Sequence, residues 1–224
     1  MPVHLPSALD AALRAQLEVR RGALAGGAAA VGWKIAASIP GVDDDAGLEG
    51  LVFGYLSSAT VLPTGGRFRP GPTVELCAEV ELGVLLGREV PPGADLDTAA
   101  AAIAGLGVAL EIVDVDDRES MHEVVASNVF HRAVAFGPAR EGSVADSLTA
   151  QLSVDGQVAS TQAVQVEPAQ TVVCMAQLLG AVERRVQAGE WIIGGSLIHL
   201  PIETNHEVTA SLSGLDPVSL WIDP

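Results

Sequence analysis

Residues 74–86 read VELCAEVELGVLL, and the reading of this stretch decides the fold. A strand turns successive side chains to opposite faces. Val80, Leu82 and Val84 therefore point one way, into a core, while Glu79 and Glu81 point the other way, side by side. A second stretch, LGVALEIVDVDD (106–117), reads as another buried strand with Glu111 in the middle of its apolar run. Two such strands, with acids on one face and aliphatics on the other, predict a sheet that covers a core and carries a polar feature on its opposite face.

Outward from this pair, VGWKIAAS (31–38) is a short strand, followed by the acidic, Gly-rich PGVDDDAGLEG and the apolar LVFGYLSSATVL (51–62). Towards the N-terminus, Ser7 is a candidate N-cap for a helix with Leu9, Leu13 and Leu17 at helical spacing, and GALAGGAA closes it. Further along, Asp97 or Thr98 caps a short helix, TAAAAIAG, and RESMHEVVASN is another. HRAVAFG is a strand, and residues 148–166 form a hairpin turning at Asp155-Gly156. Pro168 opens an amphipathic helix running to Val186, and short strands fill the C-terminus. Strands and helices do not alternate regularly, which argues against a doubly wound parallel sheet. The expected fold is α+β: a mixed, curled β-sheet with an N-terminal helical segment and flanking helices.

The chain has 224 residues, enough for one domain with a full core. Its formal charge of −16, from 28 acidic and 12 basic residues, repels phosphate backbones and anionic headgroups, so neither nucleic acid nor membrane is expected as a partner. The N-terminus lacks the basic start and apolar run of a secretion signal. The two cysteines, Cys77 and Cys174, read as buried free thiols of a reducing compartment, and the expected location is cytoplasmic.

Two carboxylates on one strand face repel, and such a pair is stable when solvated, protonated or bridged by a cation. Glu111 sharpens the choice, because an ionised carboxylate inside an apolar run needs a partner. A basic residue is one solution. Carboxylates so outnumber basic residues that a metal is the easier one, and three acids without clustered His or Cys suit a hard cation, Mg²⁺ or Mn²⁺. Lys34, the sole lysine, lies between Trp33 and Ile35 in an apparently buried strand. It is either half of a structural ion pair or a cation facing an anionic substrate. His131 lines the pocket or does not, and Arg67 and Arg69 are solvated or meet a second substrate carboxylate.

GWKIAAS (32–38), AEVELGVLLGREV (78–90), ALEIVDVDD (109–117), ASNVFHRAVAFG (126–137) and WIIGGSL (191–197), in this order, resemble the fumarylacetoacetate hydrolase superfamily. Within it they are most similar to the branch of 2-keto-4-pentenoate hydratases and 4-oxalocrotonate decarboxylases. The resemblance implies a β-roll catalytic domain over 31–224 behind a helical segment at 1–30, and a homo-oligomer. It implies metal ligands at Glu79, Glu81 and Glu111, an active-site lysine at Lys34, and pocket residues at Ser38, Asn128, Gly195 and Ser196. Glu79, Lys34 and His131 are the candidate acid–base groups. The implied substrate is a small 2-oxo acid or its dienol. A hydratase reaction is favoured, with decarboxylation, C–C hydrolysis or a non-catalytic metabolite-binding relative as alternatives. The chain departs from the family's pattern at Ala36-Ala37 and at VFHRAV (129–134), where small residues are usual.

Overall fold

The computed structural model describes residues 5–37, 50–73, 75–115 and 120–224. In chain order its elements are α1 (Ser7–Ala25), β1 (Ala30–Ala36), β2 (Val52–Ser57), β3 (Val61–Leu62), β4 (Gly66–Phe68), β5 (Glu75–Leu86) and α2 (Leu96–Ala102). There follow β6 (Ile103–Val115), α3 (Met121–Ala126), β7 (His131–Phe136), β8 (Ser147–Val154), β9 (Gln157–Gln165) and α4 (Pro168–Gly180). The chain ends with β10 (Trp191–Gly194), β11 (Ile198–Pro201), β12 (His206–Leu212) and β13 (Val218–Ile222).

One sheet runs β2-β1-β10-β5-β6-β7-β3, with β11 also on β5; a second runs β4-β13-β12-β8-β9. Parallel and antiparallel pairs occur in both, so the sheets are mixed. The expected α+β architecture, with a curled mixed sheet and few helices, is what the chain adopts. β12 and β13 pack on β5 and β6, and the helices cover the remaining apolar surface. The core therefore lies on the face of β5 and β6 that carries Val80, Leu82, Val84, Leu110 and Ile112, all nearly inaccessible. Leu9 and Leu13 of α1 belong to the same apolar cluster.

The opposite face of the large sheet carries the acids. β5 pairs with β6 along nearly its whole length, with Glu79 directly across from Glu111. Its other edge is shared: β10 covers Leu85 to Gly83, and β11 covers Val80 to Cys77. The link between β10 and β11, residues 195–197, therefore passes the edge of β5 at Glu81, and the Leu197 amide donates to the Val80 carbonyl. A small apolar cluster on this face, Leu56, Ala109, Val134 and Ile193, walls the acids in.

Local sequence explains how β1 presents Lys34. Trp33 turns to the core, where its indole N–H donates to Glu190 at 2.9 Å and the Arg20 guanidinium lies 4.6 Å from its ring centre. Strand alternation then sends Lys34 to the acid face. Gly32 is obligatory for this pairing, since a Cβ there would sit 1.9 Å from the Trp191 carbonyl oxygen.

Helix boundaries differ from the expected ones where turn geometry intervenes. α1 has Pro6, not Ser7, at its N-cap, and no side chain caps it. Asp95 caps α2 by accepting from the Thr98 amide, and the chain passes straight into β6 at Ile103 because Leu86 of β5 offers a pairing partner. α4 stops at Gly180 rather than Val186: Glu183 takes a left-handed φ of 57°, the Arg184 amide returns to Leu179, and Val186 bridges to Val90.

Candidate active site

Carboxylate oxygens from Glu79, Glu81 and Glu111 lie within 4.8 Å of one another. Glu111 is fully buried and Glu81 nearly so, whereas Glu79 retains some exposure. One oxygen of Glu81 and one of Glu111, Oε2 in each, are buried without any hydrogen-bond partner. The reading of this face as simply solvated is thereby excluded for two of the three acids.

Lys34 meets the trio from β1. Its Nζ donates to Glu111 Oε1 at 2.6 Å and to the Val129 carbonyl at 3.2 Å. Gly54, across from it on β2, makes room for the lysine stem: a Cβ there would lie 2.8 Å from Lys34 Cγ. Burial alone would lower the lysine pKa, but Glu111, Glu79 and Glu81 outweigh it and raise it, so the ammonium stays charged. Burial works against ionised Glu111 too; Lys34 and His131 outweigh it and bring its pKa down to about 2. For Glu81 the charge of Lys34 is not enough. Burial and the neighbouring Glu111 and Glu79 push its pKa well above the usual carboxylate range.

Counting charges decides what the site lacks. With all three acids ionised, one ammonium would leave two negative charges, and two of the carboxylate oxygens are buried with no donor from a basic side chain or the backbone. The donor set is all oxygen. This arrangement fits a hard divalent cation held by Glu79, Glu81 and Glu111.

The remaining residues singled out in the sequence are placed as follows. His131 is buried, and a register shift between Ile112 and Val113 sets it opposite Val113 and turns it to the acid face. Its Nδ1 is 2.6 Å from Glu111 Oε1 and its Nε2 is 2.9 Å from Thr60 Oγ1. Asn128 uses its side-chain amide on the backbone of Tyr55, accepting from its N–H at 2.7 Å and donating to its carbonyl at 2.9 Å. It acts there as a one-residue partner for the outer edge of β2. Gly195 and Ser196 lie in the link beside Glu81, with the Ser196 hydroxyl donating to the Ile198 carbonyl. Ser38 lies outside the described residues, as do Asp43, Asp44, Asp45 and Glu49. Arg67 and Arg69 pair with Asp223.

Three contributors were not singled out by sequence reading: Gly54, Thr60 and the Val129 carbonyl. His199, on β11 across from Glu79, has Nδ1 2.8 Å from its carboxylate. That hydrogen bond, with the charge of Glu79, outweighs burial and raises the histidine pKa. Residues 128–130 form three consecutive left-handed positions, with φ of 69°, 52° and 62°. Only Asn128 of the three suits that region, so the turn carries a conformational cost that its contacts must offset.

The chain is 27% identical over 209 residues to a 2-hydroxyhexa-2,4-dienoate hydratase of Comamonas testosteroni, covering 88% of this chain and 79% of that one. Its fold superposes with a TM-score of 0.81 on 4-oxalocrotonate decarboxylase of Pseudomonas putida G7 complexed with magnesium and adipate, at 25% identity over 94% of this chain and 84% of that one. A fumarylpyruvate hydrolase of Pseudomonas aeruginosa, in complex with Mn²⁺ and pyruvate, shares the fold alone: TM-score 0.66, 17% identity, 87% of this chain and 89% of that one. The pattern of the fumarylacetoacetate (FAA) hydrolase C-terminal family matches residues 43–215, more than half of the chain. The chain belongs to the fumarylacetoacetate hydrolase family.

Proposed function

We propose that this protein is a divalent-metal-dependent hydro-lyase that hydrates a small 2-hydroxy-2,4-dienoate, in the manner of 2-keto-4-pentenoate hydratases. The observation that carries the reading is a trio of acids whose oxygens lie within 4.8 Å of one another, with one buried oxygen on Glu81 and one on Glu111 that no basic side chain or backbone amide reaches. Support for the substrate class comes from the hydratase relative, whose likeness spans most of both chains.

Glu79, Glu81 and Glu111 would hold the cation, Mg²⁺ or Mn²⁺. When bound, it supplies positive charge against the substrate carboxylate and the oxygen at C2, where negative charge develops. Lys34 stays protonated and fixed between Glu111 and the Val129 carbonyl, so it presents a stationary cation to an anionic substrate. Glu79 is the acid of the trio with access to solvent and with His199 at its side, which suits it to pass protons. In the net reaction the enol proton leaves O2 and a proton adds at C5. Water then delivers its hydroxyl to C4 and a proton to C3, giving a 4-hydroxy-2-oxo acid. Gly195 and Ser196, at the rim beside Glu81, and Asn128, through the turn that it braces, shape the pocket.

The structural match to the decarboxylase favours a second reading, loss of CO₂ from a 2-oxo-hexenedioate at the same centre. One assay separates the two. A panel of 2-hydroxydienoates, 2-oxo-hexenedioates and acylpyruvates is followed by ultraviolet absorbance, with and without Mg²⁺, alongside CO₂ release. Mg²⁺-dependent loss of the dienol band without CO₂ is expected. CO₂ release, or cleavage to pyruvate, would refute the hydratase assignment.

A further inference from the structure

The two oxygens of Glu111 are treated very differently. Oε1 receives both Lys34 Nζ and His131 Nδ1, each at 2.6 Å, while Oε2 is buried and receives neither. A carboxylate at the end of a glutamate rotates almost freely, because its last torsion has no sharp staggered wells. A lysine on a four-carbon stem sets one distance but not the plane of the group. The second donor sets the plane, and that donor is the His131 ring.

The ring itself needs fixing. Flipping an imidazole exchanges a nitrogen for a carbon, and a single hydrogen bond at one edge defines its orientation poorly. Thr60 holds the far edge, with Oγ1 2.9 Å from Nε2. Ionised Glu111 only accepts, so Nδ1 carries a proton towards it, and Nε2 meets the Thr60 hydroxyl, which donates to the Ser57 carbonyl at 3.3 Å. Thr60 is itself held on both sides by main chain: its amide donates to the Ser57 carbonyl at 3.0 Å, and its carbonyl accepts from the Val134 amide at 2.9 Å. The chain Thr60, His131, Glu111 thus runs from a rigid turn to the acid cluster.

We propose that Thr60 is a positioning residue: acting through His131, it turns Glu111 so that Oε2 faces the other two carboxylates as a single-oxygen metal ligand. The inference rests on the cation-site reading of the trio, and the test separates the two. Outer partners of metal ligands change affinity by about 10- to 100-fold when removed.

Mn²⁺ is titrated into metal-free protein and the free ion followed by electron paramagnetic resonance, for wild type, Thr60→Val, Thr60→Ala and Thr60→Ser. Far-UV circular dichroism and metal-free melting confirm the fold of each. The hydroxyl-free variants should bind Mn²⁺ about 10-fold more weakly or worse, and Thr60→Ser should stay within about three-fold of wild type. Wild-type affinity in Thr60→Val or Thr60→Ala overturns the positioning role, and so does a loss in Thr60→Ser equal to theirs. No Mn²⁺ binding by wild type overturns the cation site instead. If a hydroxyl-free variant does not fold, the other one and the serine variant decide the matter on the same criteria.

Discussion

Glu81→Gln tests the electrostatic account of the site in two opposite directions at once. Glu81 is buried, and its pKa in the folded, metal-free protein lies well above its ordinary 4.5. Between those two values the folded state holds a proton that the unfolded state has released. Stability contributed by the group is therefore full below the ordinary pKa and falls as pH rises, by about 1.4 kcal/mol per pH unit, until the folded pKa is passed. Glu111 has the reverse sign, with its pKa down to about 2, so its contribution is lost only as pH falls below the ordinary carboxylate range. His199, raised by Glu79, also loses its contribution as pH climbs. The difference between wild type and Glu81→Gln cancels both.

Glutamine has the same shape and does not titrate. In chelator, the variant should gain on wild type by about 3–6 °C in Tm per pH unit between the ordinary carboxylate pKa and the raised one, using about 2–4 °C per kcal/mol for a chain of this size. With Mg²⁺ at about 100 times its Kd, wild type should gain about 2.7 kcal/mol, or about 5–10 °C, and the variant should lose most of that gain. Differential scanning calorimetry from about pH 5.5 to about pH 8, with chelator and with Mg²⁺, reads both effects. A variant that gains no stability over wild type with rising pH, and yet keeps the full Mg²⁺ shift, would refute the reasoning.

Lys34→Met removes one donor from a fully buried carboxylate and should cost about 3–5 kcal/mol in metal-free urea unfolding, because burial then acts on Glu111 with only His131 to oppose it; an unchanged midpoint would show that the ion pair does not neutralise Glu111. Asn128→Ala loses two hydrogen bonds to the Tyr55 backbone and a side chain suited to left-handed φ, for about 2–3 kcal/mol. Hydrogen exchange at the Tyr55 amide should rise sharply, and protection equal to wild type would count against the bracing role. Gly54→Ala places a Cβ 2.8 Å from Lys34 Cγ, so turnover should fall while stability drops by only about 1–3 kcal/mol. Full kcat in that variant would mean the lysine position is not critical.

No helix of the described residues is long and apolar enough to cross a membrane, consistent in that respect with a chain that lacks long apolar runs. From the family resemblance we propose that the protein forms a homo-oligomer.

The sequence by itself determined which residues face the acid side and which face the core. Period-two alternation in 74–86 and the placement of Glu111 within an apolar run follow from local geometry alone, and the observed register of β5 against β6 agrees with them. The lone lysine was legible for the same reason, as a charge in a strand with no local partner. Tertiary structure alone decided what Lys34, His131 and Asn128 touch. The family resemblance implies Asn128 as a pocket residue, and the fold shows its amide pairing with Tyr55, 73 residues away in the chain. His131 reaches Glu111 only because a bulge, invisible to periodicity, shifts β7 by one residue. Thr60 and Gly54 carry no motif of their own; they matter because β2 and the turn after it pass beside strands distant in sequence. Orientation along one strand depends on the backbone of that strand, whereas which oxygen of Glu111 stays unpaired depends on four segments meeting, and no single segment encodes that.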